Sequence, residues 1–440
     1  ELSQLSPQPL WDIFAKICSI PHPSYHEEAL AQHILTWAKE KNLHAERDRV
    51  GNILLRKPAT KGMENRKPVA LQAHLDMVPQ KNNDTVHDFA KDPIQPYIAG
   101  EWVKARGTTL GADNGIGMAS ALAVLADDSV EHGPLEVLLT MTEEAGMDGA
   151  FGLQPNWLQA DILINTDSEE EGEIYMGCAG GIDFITTLPL QREAVPAGYQ
   201  TLKLTLKGLK GGHSGAEIHV GLGNANKLLA RFLFAHAAAL NLRVLDLNGG
   251  TLRNAIPREA SAVVAVPADK ADVLKALSQE FLTVLQNELS AKEKNITVLL
   301  EPTTSASQAL SADSQQRFLA LLNGTPNGVI RMSDAVKGVV ETSLNVGVVT
   351  TSENEAEIIC LIRSLIDSGK DYVVEMLTAL GQLAGAKVAP KGGYPGWQPD
   401  ADSPVMHLVR ELYQELFDKT PNIMVIHAGL ECGQIGRASC

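Results

Sequence analysis

The sequence predicts an α/β domain, a mixed central sheet flanked by helices, with a two-layer α+β domain inserted into it. Three observations carry this expectation. Residues 135–140 and 161–165 are continuous apolar runs of the kind found in strands buried on both faces. They alternate with stretches of helical spacing, as in sheets whose sites lie at the carboxyl ends of the strands. The middle of the chain changes to cleanly alternating strands and long amphipathic helices, and 440 residues exceed what one ordinary core encloses.

In chain order, residues 10–20 and 26–41 carry apolar side chains at helical spacing, with Ser24 placed to cap the second helix. Residues 52–55 and 69–74 read as strands, 113–126 as a helix rich in small residues, and 135–140 and 161–165 as strands. Residues 202–206 alternate, 224–240 are helical, 261–266 form a strand, 272–294 a long amphipathic helix and 296–300 another strand. Tyr394-Pro395-Gly396-Trp397 is expected as a loop and 403–417 as a helix. The expected domains are residues 1–185, the first catalytic segment; 186–386, the insert; and 387–440, the second catalytic segment.

The formal net charge of -16 argues against nucleic acid or an anionic membrane as partner, because both need basic surface. Cys18, Cys178, Cys360, Cys432 and Cys440 are scattered, odd in number and without CxxC spacing. That pattern suits reduced thiols in the cytoplasm rather than a disulfide framework or a thiolate metal site. Residues 1–20 lack a basic start followed by an apolar run, and no stretch approaches a membrane span. The expectation is a soluble, cytoplasmic protein with no nucleic-acid or membrane partner.

Function is concentrated where the apolar runs end. His74-Leu75-Asp76, Gly111-Ala112-Asp113-Asn114-Gly115, Thr142-Glu143-Glu144 and Asn165-Thr166-Asp167 follow one another in this order. Together they offer an imidazole and several carboxylates, the donor set of a two-zinc hydrolytic site. His74 and Asp76 sit two apart at a strand end and share a face, so Asp76 is placed to orient a metal-binding imidazole. Asp113 opens a helix, where it could be an ordinary cap or a carboxylate between two cations. Glu143 and Glu144 are like charges side by side; one is suited to hold metal and the other to take a proton. Asp167 is the acidic residue nearest its strand end, and the EF-hand spacing that would make this a calcium loop is absent.

In the insert, His213 lies in a glycine-rich turn, where an exposed histidine or an oxyanion stabiliser would both fit. Asn254, beside Arg253, and Arg363 border apolar runs, and an arginine fork suits a substrate carboxylate. A Gly-x-Ser-x-Gly elbow, a phosphate loop and a dinucleotide fingerprint are all missing.

The segments Gln72-Ala73-His74-Leu75-Asp76-Met77-Val78-Pro79-Gln80-Lys81, Gly111 to Gly115, Met141-Thr142-Glu143-Glu144-Ala145-Gly146 and Asn165-Thr166-Asp167-Ser168-Glu169-Glu170 closely resemble the bacterial aminoacyl-histidine dipeptidase family. This is a branch of the zinc metallopeptidases that also include carnosinases, aminoacylases and glutamate carboxypeptidases. The resemblance runs from the first residues to about Gly433. It implies a catalytic domain, a lid domain that mediates homodimerisation, and hydrolysis of dipeptides such as β-alanyl-histidine.

On this chain it implies that His74, Asp113 and Asp167 hold a first zinc. Asp113 would bridge to a second zinc that Glu144 also ligates, with cobalt or manganese as substitutes. Glu143 would be the general base toward a metal-bridging water, with Asp76 steering His74. His213 would be the lid histidine that approaches the scissile carbonyl, sometimes from the partner subunit, and Asn254 and Arg363 would contact the substrate carboxylate. Gln434–Cys440 does not match the family's continuation, which brings a last histidine to the second metal. The second ion would then keep only Asp113 and Glu144, and His427 is not expected to stand in. A deacylase of the same family, or a truncated metal-binding remnant without catalysis, are the alternatives.

Overall fold

The computed structural model describes residues 2–82, 84–304 and 307–439; Cys440 lies outside them. By contact the chain forms two compact units, one of Glu1–Tyr175, Asp402–Met424 and Leu430–Cys440, the other of Met176–Ala401 and Val425–Gly429. The expected junction at 185/186 falls inside a strand, Gly180–Pro189, of the second unit.

The first unit runs α1 (Gln8–Cys18), α2 (Glu28–Glu40), β1 (His44–Arg47), β2 (Ile53–Lys57), β3 (Val69–His74), a hairpin of β4 (Pro96–Ala99) and β5 (Trp102–Ala105), α3 (Ala112–Ala126), β6 (Leu135–Thr140), the short α4 (Glu143–Gly146) and α5 (Asp148–Phe151), and β7 (Ile162–Asn165). Five of the strands form one mixed sheet in the order β1-β2-β6-β3-β7. β6, β3 and β7 are parallel neighbours, whereas β1 and β2 join antiparallel.

Every residue of β6 is buried, which explains its unbroken apolar run. Successive side chains point to opposite faces. Ile53, Leu55, Ala73, Val137 and Leu139 pack with Phe14 of α1, Leu30 and Ile34 of α2 and Met118 and Leu122 of α3. On the other face Leu54 and Leu138 meet Ala150 of α5 and Ile435 of the terminal helix Glu431–Ser439. Glycine is required within α3: a Cβ on Gly117 would stand 2.5 Å from the Thr166 carbonyl, so only glycine lets this helix pass the β7 loop.

The second unit is built on a nine-stranded antiparallel sheet. Its main path is Thr297–Pro302, Tyr199–Lys207, Ala260–Pro267, Arg243–Gly249, Val340–Thr351, Glu355–Ser364, Gly180–Pro189 and Lys387–Tyr394, with Gly328–Met332 also pairing Val340–Thr351. The helices Ala225–His236, Ala271–Leu289, Ala312–Gly324 and Asp367–Ala384 contribute Phe232, Phe281, Phe318 and Val373 to one apolar core with Phe184 and Leu344 of the sheet. This is the expected two-layer α+β arrangement.

Local differences from the sequence reading have physical reasons. Ser24 does not cap α2, whose N-cap is Glu27; its hydroxyl donates instead to Asp76 Oδ2 at 2.7 Å. The helix expected over 272–294 stops at Leu289, because the buried Glu293 carboxylate turns away to accept the Lys210 and Gly223 amides. Asn224 caps the helix that follows it through the Lys227 amide, and that helix ends at His236 rather than 240. Tyr394 ends a strand rather than opening a loop. Among the described residues no helix is long and apolar enough to cross a membrane.

Candidate metal centre

The parallel strands β6, β3 and β7 end side by side, with His74 level with Thr140 and Gln72 level with Asn165. The loops that leave them therefore bring His74, Glu143, Glu144 and Asp167 to one edge, and α3 delivers Asp113 there. His74, Asp113 and Asp167 offer donor atoms within 4.8 Å of one another, and so do His74, Glu143 and Glu144. The imidazole is fully buried. Its Nδ1 donates to the Asp76 backbone carbonyl at 2.9 Å, which leaves Nε2 for the cluster. Nε2 stands 3.0 Å from Asp113 Oδ1 and 3.4 Å from Asp167 Oδ1.

Asp113 follows Gly111, which precedes α3 in a left-handed conformation, and its own backbone is extended rather than helical (φ -85°, ψ 106°). Asp76 does more than orient His74. Its Oδ1 accepts the Glu143 amide at 2.9 Å and stands 3.2 Å from His74 Nδ1, and its Oδ2 accepts the Glu144 amide at 3.2 Å, so one carboxylate touches both the imidazole and the acidic turn. The preceding Thr142 has a φ of +57°, a conformation costly for a branched residue. The buried Glu27 holds it there, accepting both its amide and its hydroxyl at 2.9 Å. In sequence Glu27 looks like any acidic residue at a helix start, so nothing local reveals this role.

The electrostatics are those of a site short of positive charge. Burial, together with Asp113, pushes Glu144 up to about 7; burial, together with Asp167 and Asp76, pushes Glu143 up to about 7. Asp167 is raised by burial, whereas Asp113 is held low by its bond to His74. Burial disfavours a charged His74, but its bonds to Asp113, Asp167 and Asp76 outweigh burial and raise its pKa. A proton on Nε2 thus stands where a cation would. Glu144 Oε1 is buried without a hydrogen-bond partner. An orphaned carboxylate oxygen amid crowded acids and one imidazole fits a divalent cation with nitrogen and oxygen ligands.

His213, Asn254 and Arg363 all fall in the second unit. His213 Nδ1 accepts the amides of Gly215 and Ala216 at 3.2 and 3.0 Å, so Nε2 carries the hydrogen. Its pKa is lowered by burial and by Arg363. Arg363 is buried, donates to the Tyr394 hydroxyl at 3.0 Å, and has an unpartnered Nε. Asn254 adjoins His213, its carbonyl accepting the Ser214 amide at 2.9 Å, with an exposed side chain. His427 pairs with the Ser343 hydroxyl at 2.7 Å and is pushed down to about 3 by burial and Arg363, and it belongs to neither group of potential ligands.

Residues 204–293 match a family model described as a peptidase dimerisation domain. The chain is 78% identical over 433 residues to the cytosol non-specific dipeptidase of Escherichia coli K12, covering 98% of this chain and 89% of that protein. It superposes on the aminoacylhistidine dipeptidase of Vibrio alginolyticus with a TM-score of 0.94 at 61% identity, covering 99% of this chain and 89% of that one. Aminopeptidase PepT of Bacillus cereus, at 15% identity and a TM-score of 0.54, shares the fold, with 98% of this chain and 87% of that one covered. With a full-length relative of that identity and a buried histidine–carboxylate cluster at its parallel strand ends, the chain belongs to the cytosol non-specific (aminoacyl-histidine) dipeptidases of the M20 metallopeptidase family.

Proposed function

We propose that this dipeptidase cleaves aminoacyl-histidine dipeptides, β-alanyl-histidine among them, with zinc at the His74 cluster. The observation that carries the reading is the pairing of Glu143 and Glu144: adjacent carboxylates whose oxygens lie within 4.8 Å of each other and of a buried imidazole nitrogen. One is free to hold metal while the other stays poised near neutral pH for proton transfer. His74, Asp113 and Asp167 would hold one zinc, and Asp113 with Glu144 a second. Cobalt or manganese suits the same donors. Bound there, the metal supplies Lewis acidity toward water and the scissile carbonyl.

The residues do the rest. Glu143 takes a proton as water adds to the carbonyl carbon, forming the new C–O bond. It returns that proton to the amide nitrogen as the C–N bond breaks, releasing the free amine. Asp76 holds both Glu143 and Glu144 by their amides and keeps His74 turned with Nε2 inward. Arg363 and Asn254 are assigned to the substrate's terminal carboxylate, which an arginine fork recognises well. His213, with Nε2 carrying hydrogen, is assigned to the oxygen of the attacked carbonyl. The second unit is read as a lid through which two copies pair, supported by the dimerisation-domain match. Cytoplasmic location is supported by the name of the Escherichia coli relative.

Glu143→Ala should lower kcat for β-alanyl-histidine by about 10²- to 10⁴-fold, with zinc per chain unchanged. Turnover at the wild-type rate would sink the assignment. The same assay run with N-acyl amino acids separates a dipeptidase from a deacylase.

A further inference from the structure

Beneath the metal centre lies a buried carboxylate that the chemistry above does not use. Glu431 opens the terminal helix and is 2% exposed. Its Oε2 accepts the Gln72 side-chain amide at 2.7 Å and the Thr140 hydroxyl at 2.8 Å, and its Oε1 has no partner. No cation faces it in these bonds, and burial pushes it up to about 8, with Glu143 adding to the rise. An apolar residue of similar volume would be easier to bury here. Ile435, one turn along, already secures the helix by packing on Leu54 and Leu138. Glu431 is therefore not explained by anchoring alone.

Its two donors explain it better. Gln72 lies two residues before His74 on β3, on the same face, and Thr140 lies directly opposite His74 on β6, just before Glu143. Gln72 passes the connection on: its Oε1 accepts the Asn165 side-chain amide at 2.5 Å, and Asn165 Oδ1 accepts the Asp167 amide at 2.9 Å. A single network, buried at Thr140, Glu431 and Gln72, thus runs Thr140–Glu431–Gln72–Asn165–Asp167. It touches each of the three strands that end in His74, Glu143 with Glu144, and Asp167.

We infer that Glu431 is a positioning residue for the metal ligands, tying the carboxyl ends of β6, β3 and β7 together from below so that their ligands keep their mutual spacing. The inference rests on the reading of the His74 cluster as a metal centre. Groups at one remove from a metal set its affinity through the first ligands, typically by about 10- to 100-fold.

The test is zinc affinity of the full chain. Metal-free protein is titrated with zinc against a chromophoric chelator, with near-ultraviolet circular dichroism and melting temperature recorded in parallel. Glu431→Ala is expected to weaken zinc binding by about 10- to 100-fold. Glu431→Gln, which keeps an acceptor for Gln72 and Thr140, should recover most of that loss. If Glu431→Ala does not fold, Thr140→Val removes one donor with little change of shape and should weaken binding in the same direction. A lower melting temperature with wild-type zinc affinity in the folded protein would make Glu431 merely structural and overturn the inference. So would equal losses in the Ala and Gln variants. Wild-type protein that takes up no zinc would overturn the metal-centre reading itself, and the inference with it.

Discussion

The two faces of the five-stranded sheet are built from the same strands and serve different ends. On the face covered by α1, α2 and α3, Ala73, Val137 and Leu139 disappear into an unbroken apolar core. On the other, Leu54 and Leu138 keep only a small apolar cluster, and beside it Gln72, His74, Thr140 and Glu431 are buried as polar groups. Because side chains alternate, β3 gives Ala73 to stability and its neighbours Gln72 and His74 to chemistry. The difference teaches that the cost of burying polar groups is confined to one face, and that the other face can carry it.

That division can be broken in measurable ways. The largest effect on folding belongs to the apolar face: Leu30→Ala in α2, fully buried, should lower stability by about 2–5 kcal/mol in urea denaturation. Zinc affinity and kcat of the folded variant should stay at wild-type values; a fall in either would mean that the faces are not separable. Glu27 is the exception that sharpens the comparison, since it begins the same helix yet holds the turn before Glu143 and Glu144 through Thr142. Glu27→Ala leaves two donors without their acceptor and should cost about 1–3 kcal/mol. Unlike Leu30→Ala, it should also lower kcat.

The polar face should also show a pH dependence. Glu431 is raised from 4.5 to about 8, so the folded chain holds a proton that the unfolded chain has released. Its contribution to stability is full below about 4.5, declines as pH rises toward about 8, and is flat above that. In urea denaturation of metal-free protein, Glu431→Gln should lack this decline and gain on wild type between those limits. Parallel curves would show the carboxylate already ionised in the fold.

Much of the first unit is legible in sequence. The expected strands at 69–74 and 135–140 are β3 and β6 to the residue, because their largely apolar sequences mark strands that sit deep in a sheet. The histidine and acids at their ends are legible because polar groups directly after such runs need a reason. The second unit is less readable. In Val340–Thr351, Glu341, Thr342, Ser343 and Asn345 are all buried although polar, so neither alternation nor an apolar run marks the strand. The supporting residues are hidden for another reason. Glu27 meets Thr142 across 115 positions and Glu431 meets Gln72 across 359, and no local pattern encodes such a partner.

That last separation has a consequence in time. Ribosomes add about 5–20 residues per second, so roughly 20–70 s elapse between synthesis of Gln72 and of Glu431, 359 positions later. During that interval every residue assigned to bind metal has been made, but the group that ties their strands together has not. A nascent chain therefore carries the residues assigned to hold metal long before the network proposed to tie their strands can form.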